Sequence, residues 1–261
     1  MQLFSAILLM IFSNQKVLVI ALKSCHLKEL MRTGRNEHLD YLDSFYRTNL
    51  SPEFLAKMET AREESRQLNR EGISVSLSEA YLISELVRQS QSAAFMELGS
   101  LTGYSALFLL RGLKENGTLY CFEKDDHCAL FLKNLFADTG SVPELKGKKV
   151  VVVHGDARQK LDSWEVPSGL GGVFIDANKA AYVDYLNWIE SRLSGSYLVI
   201  ADNVFLSGSV WGAKETSFSA KQIQVMNEFN MRLMNNPVNN LKYSSFFIGT
   251  SEGLLVAKRQ A

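Results

Sequence analysis

Three scarcities narrow what this chain can be. Its cysteines are Cys25, Cys121 and Cys128, an odd number without C-x-x-C spacing, so neither a disulfide framework nor a cysteine zinc site is built in. A reducing, cytoplasmic setting is expected, with Cys121, inside a strand pattern, serving as a small core residue. Charge of one sign is missing too. Lys plus Arg number 28 and Asp plus Glu 28, which leaves no positive excess to neutralise phosphates and argues against a nucleic-acid partner. Long apolar runs are also absent. Residues 1–22 hold two, split by Ser13, Asn14, Gln15 and Lys16, so the ~20 residues a bilayer helix needs never occur together and no stable membrane span is expected. The same segment lacks a positive start, and Ser24-Cys25-His26 is a poor cleavage site, so a secretory signal or anchor is the minor alternative. An early start codon or a helix used in dimer packing explains the segment as well, and a homodimer is the expected assembly.

What is present is a chain of 261 residues, 46% apolar, long enough to bury a full core as one α/β domain with an extension. Residues 1–38 form the extension and 39–261 the domain. His26 and His38 have no second ligand at i+3 or i+4, so neither suggests a metal site. Leu39, Leu42, Phe45 and Tyr46 fall on one helical face; Ser51 and Pro52 mark a second helix start, running through Arg70, and Ser78 caps a third.

The chain is organised around Ala94 to Asp126, a strand, glycine-bearing turn, helix and strand that make one βαβ unit. The dinucleotide fingerprint fails because Leu101 and Tyr104 stand where its second and third glycines belong, and no lysine follows Gly103 as a phosphate loop requires. What remains is Glu97 ahead of a loop holding Gly99 and Gly103, with Glu123 closing the next strand. A carboxylate there can accept hydrogen bonds from both hydroxyls of a ribose. Further strands read at Lys149 to His154, Gly172 to Asp176 and Ser196 to Asp202. Tyr243 to Gly249 and Gly253 to Lys258 form a closing hairpin. Glu97, Glu123, Asp156, Asp176 and Asp202 therefore gather at the carboxyl ends of the strands, where like charges need a cation or hydrogen-bond donors between them. Asp176, Asp202 and Asn203 are hard oxygen donors, suited to Mg²⁺, Mn²⁺ or Ca²⁺ and not to zinc.

Glu97 to Leu107 (ELGSLTGYSAL), Phe174 to Lys179 (FIDANK) and Ala201 to Val204 (ADNV) closely resemble, in order, three motifs of the cation-dependent O-methyltransferases, the caffeoyl-CoA and catechol O-methyltransferase class. The resemblance runs from roughly Leu39 to the C-terminus, and against it the segment between Gly140 and Lys149 is somewhat long, which implies a surface insertion there. It implies a Rossmann-like class I methyltransferase fold: a mostly parallel seven-stranded sheet, helices on both faces, and a C-terminal antiparallel hairpin. It implies S-adenosylmethionine as methyl donor, a small aromatic diol as acceptor, and Mg²⁺ on Asp176, Asp202 and Asn203. Val75, Glu97, Gly99, Ser100, Gly103, Tyr104, Ser105, Glu123, Asp156, Ala157, Asp176 and Asn178 are the implied cofactor positions, and Lys179 the implied base. Two positions depart from the pattern: Asn178 where aspartate is common, and Leu206 where a tryptophan would wall the acceptor pocket. A nicotinamide oxidoreductase is disfavoured by the failed fingerprint, a methyltransferase of RNA or protein by the charge balance. A non-catalytic cofactor-binding module would bind without turnover.

Overall fold

The computed structural model describes residues 37–70, 72–212, 217–235, 243–250 and 252–260. The apolar stretch at 1–22, with Cys25 and His26, lies outside them. Among the described residues three helices precede the sheet: α1 (Glu37–Thr48), α2 (Pro52–Gln67) and α3 (Leu77–Ser90). Strands and helices then alternate as β1 (Ala94–Leu98), α4 (Tyr104–Gly112), β2 (Thr118–Glu123), α5 (Asp126–Leu135), β3 (Lys149–His154), α6 (Ala157–Ser163), β4 (Leu170–Ile175), α7 (Tyr182–Arg192) and β5 (Leu198–Ala201). After α8 (Ala220–Asn235) the hairpin β6 (Tyr243–Ile248) and β7 (Leu254–Arg259) closes the chain. The sheet order is β3-β2-β1-β4-β5-β7-β6, parallel from β3 to β5, with β7 antiparallel to both β5 and β6. This is the expected seven-stranded, mostly parallel architecture. The order reverses at β1, so the crevice between β1 and β4 is the topological switch point where ligands bind in open α/β sheets.

Apolar strand runs explain the burial on both faces. All five residues of β1 are buried, as expected for a central parallel strand covered by helices on each side. One face packs Phe54, Ile83, Phe108 and Leu110 from α2, α3 and α4, the other Tyr182, Leu186, Ile189 and Phe229 from α7 and α8. Cys121 is fully buried, as expected of a core residue.

Three local expectations need correction. Ser76, not Ser78, caps α3, because its hydroxyl accepts from the Glu79 N–H while the Glu79 carboxylate accepts from the Ser76 N–H, a reciprocal pair that Ser78 cannot form. The segment between Gly140 and Lys149 is not a surface insertion. Its short turn Pro143–Leu145 seats Val142 and Leu145 in the core and aims Glu144 back at the start of α2, where it accepts from the Ser51 N–H and hydroxyl at 2.6 and 2.7 Å. On α1, Tyr46 turns inward and stacks on Tyr81 at 4.5 Å, whereas Leu42 and Phe45 stay exposed.

Candidate active site

A cavity of about 650 Å³ opens at the switch point. Of the sequence-predicted residues, Val75, Gly99, Ser100, Tyr104, Ser105, Glu123, Asp156, Ala157, Asp176, Asn178, Lys179 and Asn203 line it. Glu97, Gly103 and Asp202 do not. A larger concavity, about 830 Å³, opens at the opposite edge of the sheet, holds none of the predicted residues and has no carboxylate in its lining.

The two glycines are also required by the packing of the chain on itself. Gly99 has φ of +89°, and a Cβ there would collide with the carbonyl oxygen of Asp176; Gly103, at φ +84°, would put one 2.7 Å from Leu132. Both are required for the approach of chain to chain, and the cofactor loop is shaped as a result. Gly103 is thus a packing residue beneath the cavity. Glu97 is likewise sealed below the floor, because β1 is central and its fourth residue faces the helical layer. Ser105 donates to Glu97 Oε1 at 2.5 Å, and burial, reinforced by the charges of Asp176 and Glu123, pushes the carboxyl up to about 7. Through Ser105 the carboxyl supports the loop.

Glu123 is different. It is almost buried, yet lines the cavity, and its two oxygens accept from the N–H groups of Leu101 at 2.7 Å and Asp125 at 2.9 Å. Each oxygen retains a lone pair for a further donor. Asp156 caps α6 by accepting from the Arg158 N–H at 2.9 Å, and Ala157 opens that helix beside it. Tyr104 is pinned from α2, with Arg62 stacked on its ring at 4.5 Å and donating to its hydroxyl at 2.6 Å.

Asp176 and Asp202 end the neighbouring strands β4 and β5, whose backbones join through Asp202 N–H to Ile175 O at 2.9 Å. Burial, then repulsion from Asp176, pushes the Asp202 carboxyl up to about 8. Asn203 follows in a left-handed turn, φ +57°. Among the described residues no three His, Cys, Asp or Glu side chains form a ready cluster, but two carboxylates in conflict beside an amide oxygen fit a hard divalent cation. Lys179 Nζ donates to Asp176 at 2.7 Å and to the Tyr182 hydroxyl at 3.0 Å, and that hydroxyl in turn donates to Asp202 O at 2.8 Å. Burial alone would favour the neutral amine, but Tyr182 and Asp176 outweigh it and raise Lys179, so here the lysine is an ammonium.

The two departures resolve structurally. Asn178 accepts from the Ala180 N–H at 3.1 Å, the capping role an aspartate would also fill. Leu206 is fully buried in the core, while Phe205 meets the exposed ring of Trp211 edge-on at 5.3 Å. Sequence reasoning missed Arg70, Ile73, Tyr185 and Gln222, all in the cavity lining. None sits in a motif; the fold alone brings them there.

The sequence pattern of the O-methyltransferase family matches residues 48–260. A catechol O-methyltransferase of Niastella koreensis is 30% identical over 164 residues, covering 62% of this chain and 70% of that protein. Among solved structures, the O-methyltransferase TomG from Streptomyces achromogenes, held with S-adenosylmethionine, superposes with a TM-score of 0.66 at 23% identity over 78% of this chain and 90% of its own. The Bacillus cereus O-methyltransferase bound to S-adenosylhomocysteine gives 0.64 at 20% identity over 78% and 91%.

Proposed function

Because the chain belongs to the O-methyltransferase family, we propose that it transfers a methyl group from S-adenosylmethionine to one hydroxyl of a catechol-like aromatic with the help of a divalent cation, Mg²⁺ before Mn²⁺ or Ca²⁺. The observation that carries this reading is the cavity at the switch point, where Glu123 offers lone pairs on one side and Asp176, Asn203 and Lys179 gather on the other. The resemblance to a catechol O-methyltransferase supports the acceptor class.

In this reading Glu123 accepts from the ribose hydroxyls, Ser100 to Ser105 run along the methionine half of the cofactor, and Asp156 and Ala157 lie by the adenine. Asp176, Asp202 and Asn203 would hold the cation, which when bound supplies a Lewis acid that lowers the acceptor's pKa. The acceptor oxygen forms a bond to the methyl carbon as the carbon–sulfur bond breaks, with that electron pair returning to sulfur. The phenol proton leaves for solvent, or for Lys179 Nζ once the ammonium, released from Asp176, has first given its own extra proton to solvent. The ion pair to Asp176 favours a second role for the lysine, in which the ammonium steadies the developing phenolate. Catalysis is then mainly positioning and charge stabilisation.

The test is turnover of labelled S-adenosylmethionine with catechol, with Mg²⁺ and with chelator. Methylation that needs the metal supports the whole reading; metal-independent methylation removes the cation; no methylation of any dihydroxy aromatic in a broad panel removes the acceptor class.

A further inference from the structure

One cavity residue has no place in the chemistry above. Gln222 sits in the first turn of α8, and among the described residues it is the only one beyond Asn203 in the lining. α8 packs across the Lys179–Ala181 turn, and Asn230 of the same helix donates to Val204 O at 2.9 Å, so its start is held over the acceptor side of the cavity.

The Gln222 side chain is already half committed. Its Oε1 accepts from the Ser219 N–H at 2.9 Å and the Ser219 hydroxyl at 3.0 Å, while the Gln222 backbone N–H donates to that hydroxyl at 3.3 Å, a reciprocal cap at the start of α8. The cap fixes which end of the amide is which. Oε1 is spent on the helix, and Nε2 keeps two N–H groups with no partner among the described residues. Across the cavity the α2–α3 loop presents Ile73, Ser74 and Val75, and its two apolar side chains can cover an aromatic ring. A half-buried amide that loses water without gaining an acceptor costs binding.

We propose that Gln222 determines acceptor specificity: its Nε2 donates to an oxygen substituent on the ring, so the favoured acceptors are catechols that carry a carbonyl or carboxylate rather than a bare or alkyl ring. This rests on the catechol reading above. A site built around a donor discriminates strongly against analogues that lack the matching oxygen.

The substitution that isolates the donor is Gln222→Glu. Glutamate at the third helical position keeps the capping oxygen, so α8 still starts at the same place, but the donor becomes an acceptor. The two probes are protocatechualdehyde, which carries a neutral carbonyl, and the methylcatechol with its methyl at the same ring position. The readout is the ratio of their kcat/KM values, compared between wild type and variant so that the intrinsic acidity of each ring cancels. The ratio is expected to fall by about tenfold in Gln222→Glu, mainly through KM of the aldehyde. A ratio unchanged within about twofold overturns the proposal. Calorimetric binding of both probes to protein loaded with S-adenosylhomocysteine gives the same ratio without turnover. A shifted binding ratio with no methylation sinks the catechol reaction and keeps the Gln222 contact; equal binding ratios, or no binding of either probe, sink the contact.

Discussion

The two halves of the cavity handle negative charge in opposite ways. On the β1–β3 side every acid has donors supplied by the protein itself: Glu123 has two backbone N–H groups, Asp156 has one, and Glu97 has the Ser105 hydroxyl. On the β4–β5 side Asp176 and Asp202 stand at adjacent strand ends, where burial and then the charge of Asp176 raise the cost of ionising Asp202, with Lys179 the main positive charge between them. The first half is a finished hydrogen-bonding socket. The second keeps a buried carboxylate, Asp202, that is costly to ionise beside Asp176 even with Lys179 and the Asn203 backbone at hand, and the proposed cation site rests on that feature.

The contrast is broken most decisively at Asp202. Asp202→Ala is expected to lower turnover by ~10³-fold while S-adenosylmethionine affinity, measured by calorimetry, stays within a few-fold, because the loss falls on the charge-stabilising side alone. A parallel collapse of cofactor affinity would show that the halves are not separate. Next comes Lys179→Met, expected to cost ~10²-fold in kcat as a lost proton acceptor or lost phenolate partner. The pH profile tells the two apart: a lost base is relieved as the acceptor ionises at high pH, and a lost ammonium is not.

On the socket side, Glu123→Ala is expected to weaken S-adenosylmethionine binding by ~1.5–3 kcal/mol, the range for hydrogen bonds to a charged group. Affinity equal to wild type would take the ribose away from Glu123. The smallest effect concerns stability. Glu97 has an ordinary value of 4.5, raised to about 7 in the fold, so the folded state binds more protons than the unfolded chain across that window. Its contribution is complete below about 4.5 and is lost as pH rises through about 7. Glu97→Gln removes the titration. Denaturation at pH 5 and pH 8 is expected to show a fall in wild-type stability on the order of 1–3 kcal/mol that the variant lacks; the same slope in both proteins would assign it elsewhere.

How far the sequence reached depended on whether a residue's partner lies near it in the chain. The strand ends were legible because alternation of apolar runs with helical patterns marks a parallel sheet, and four of the acids, Glu123, Asp156, Asp176 and Asp202, do close or follow strands, whereas Glu97 lies one residue inside β1. The start of α2 at Ser51 and Pro52 was legible for the same local reason. What escaped was decided at long range. Val142 and Leu145 are buried because Glu144 anchors their turn to Ser51, more than 90 positions earlier. Gly99 and Gly103 look like ligand glycines in one dimension, and only the fold reveals Asp176 and Leu132 as the atoms they make room for. Gln222 was invisible because its function depends on which helix end overhangs the cavity.

The closeness of Gly99 to the Asp176 carbonyl has a consequence for how such a molecule can change over generations. Any side chain at Gly99 pushes on the turn that carries Asp176, the first carboxylate of the proposed cation site, so in that proposal a substitution that retunes the grip on the methyl donor also moves the partner that prepares the methyl acceptor. The two specificities share one hinge of backbone. They can drift only together, through paired substitutions on both loops, and a library that randomises one loop alone would sample mostly broken molecules.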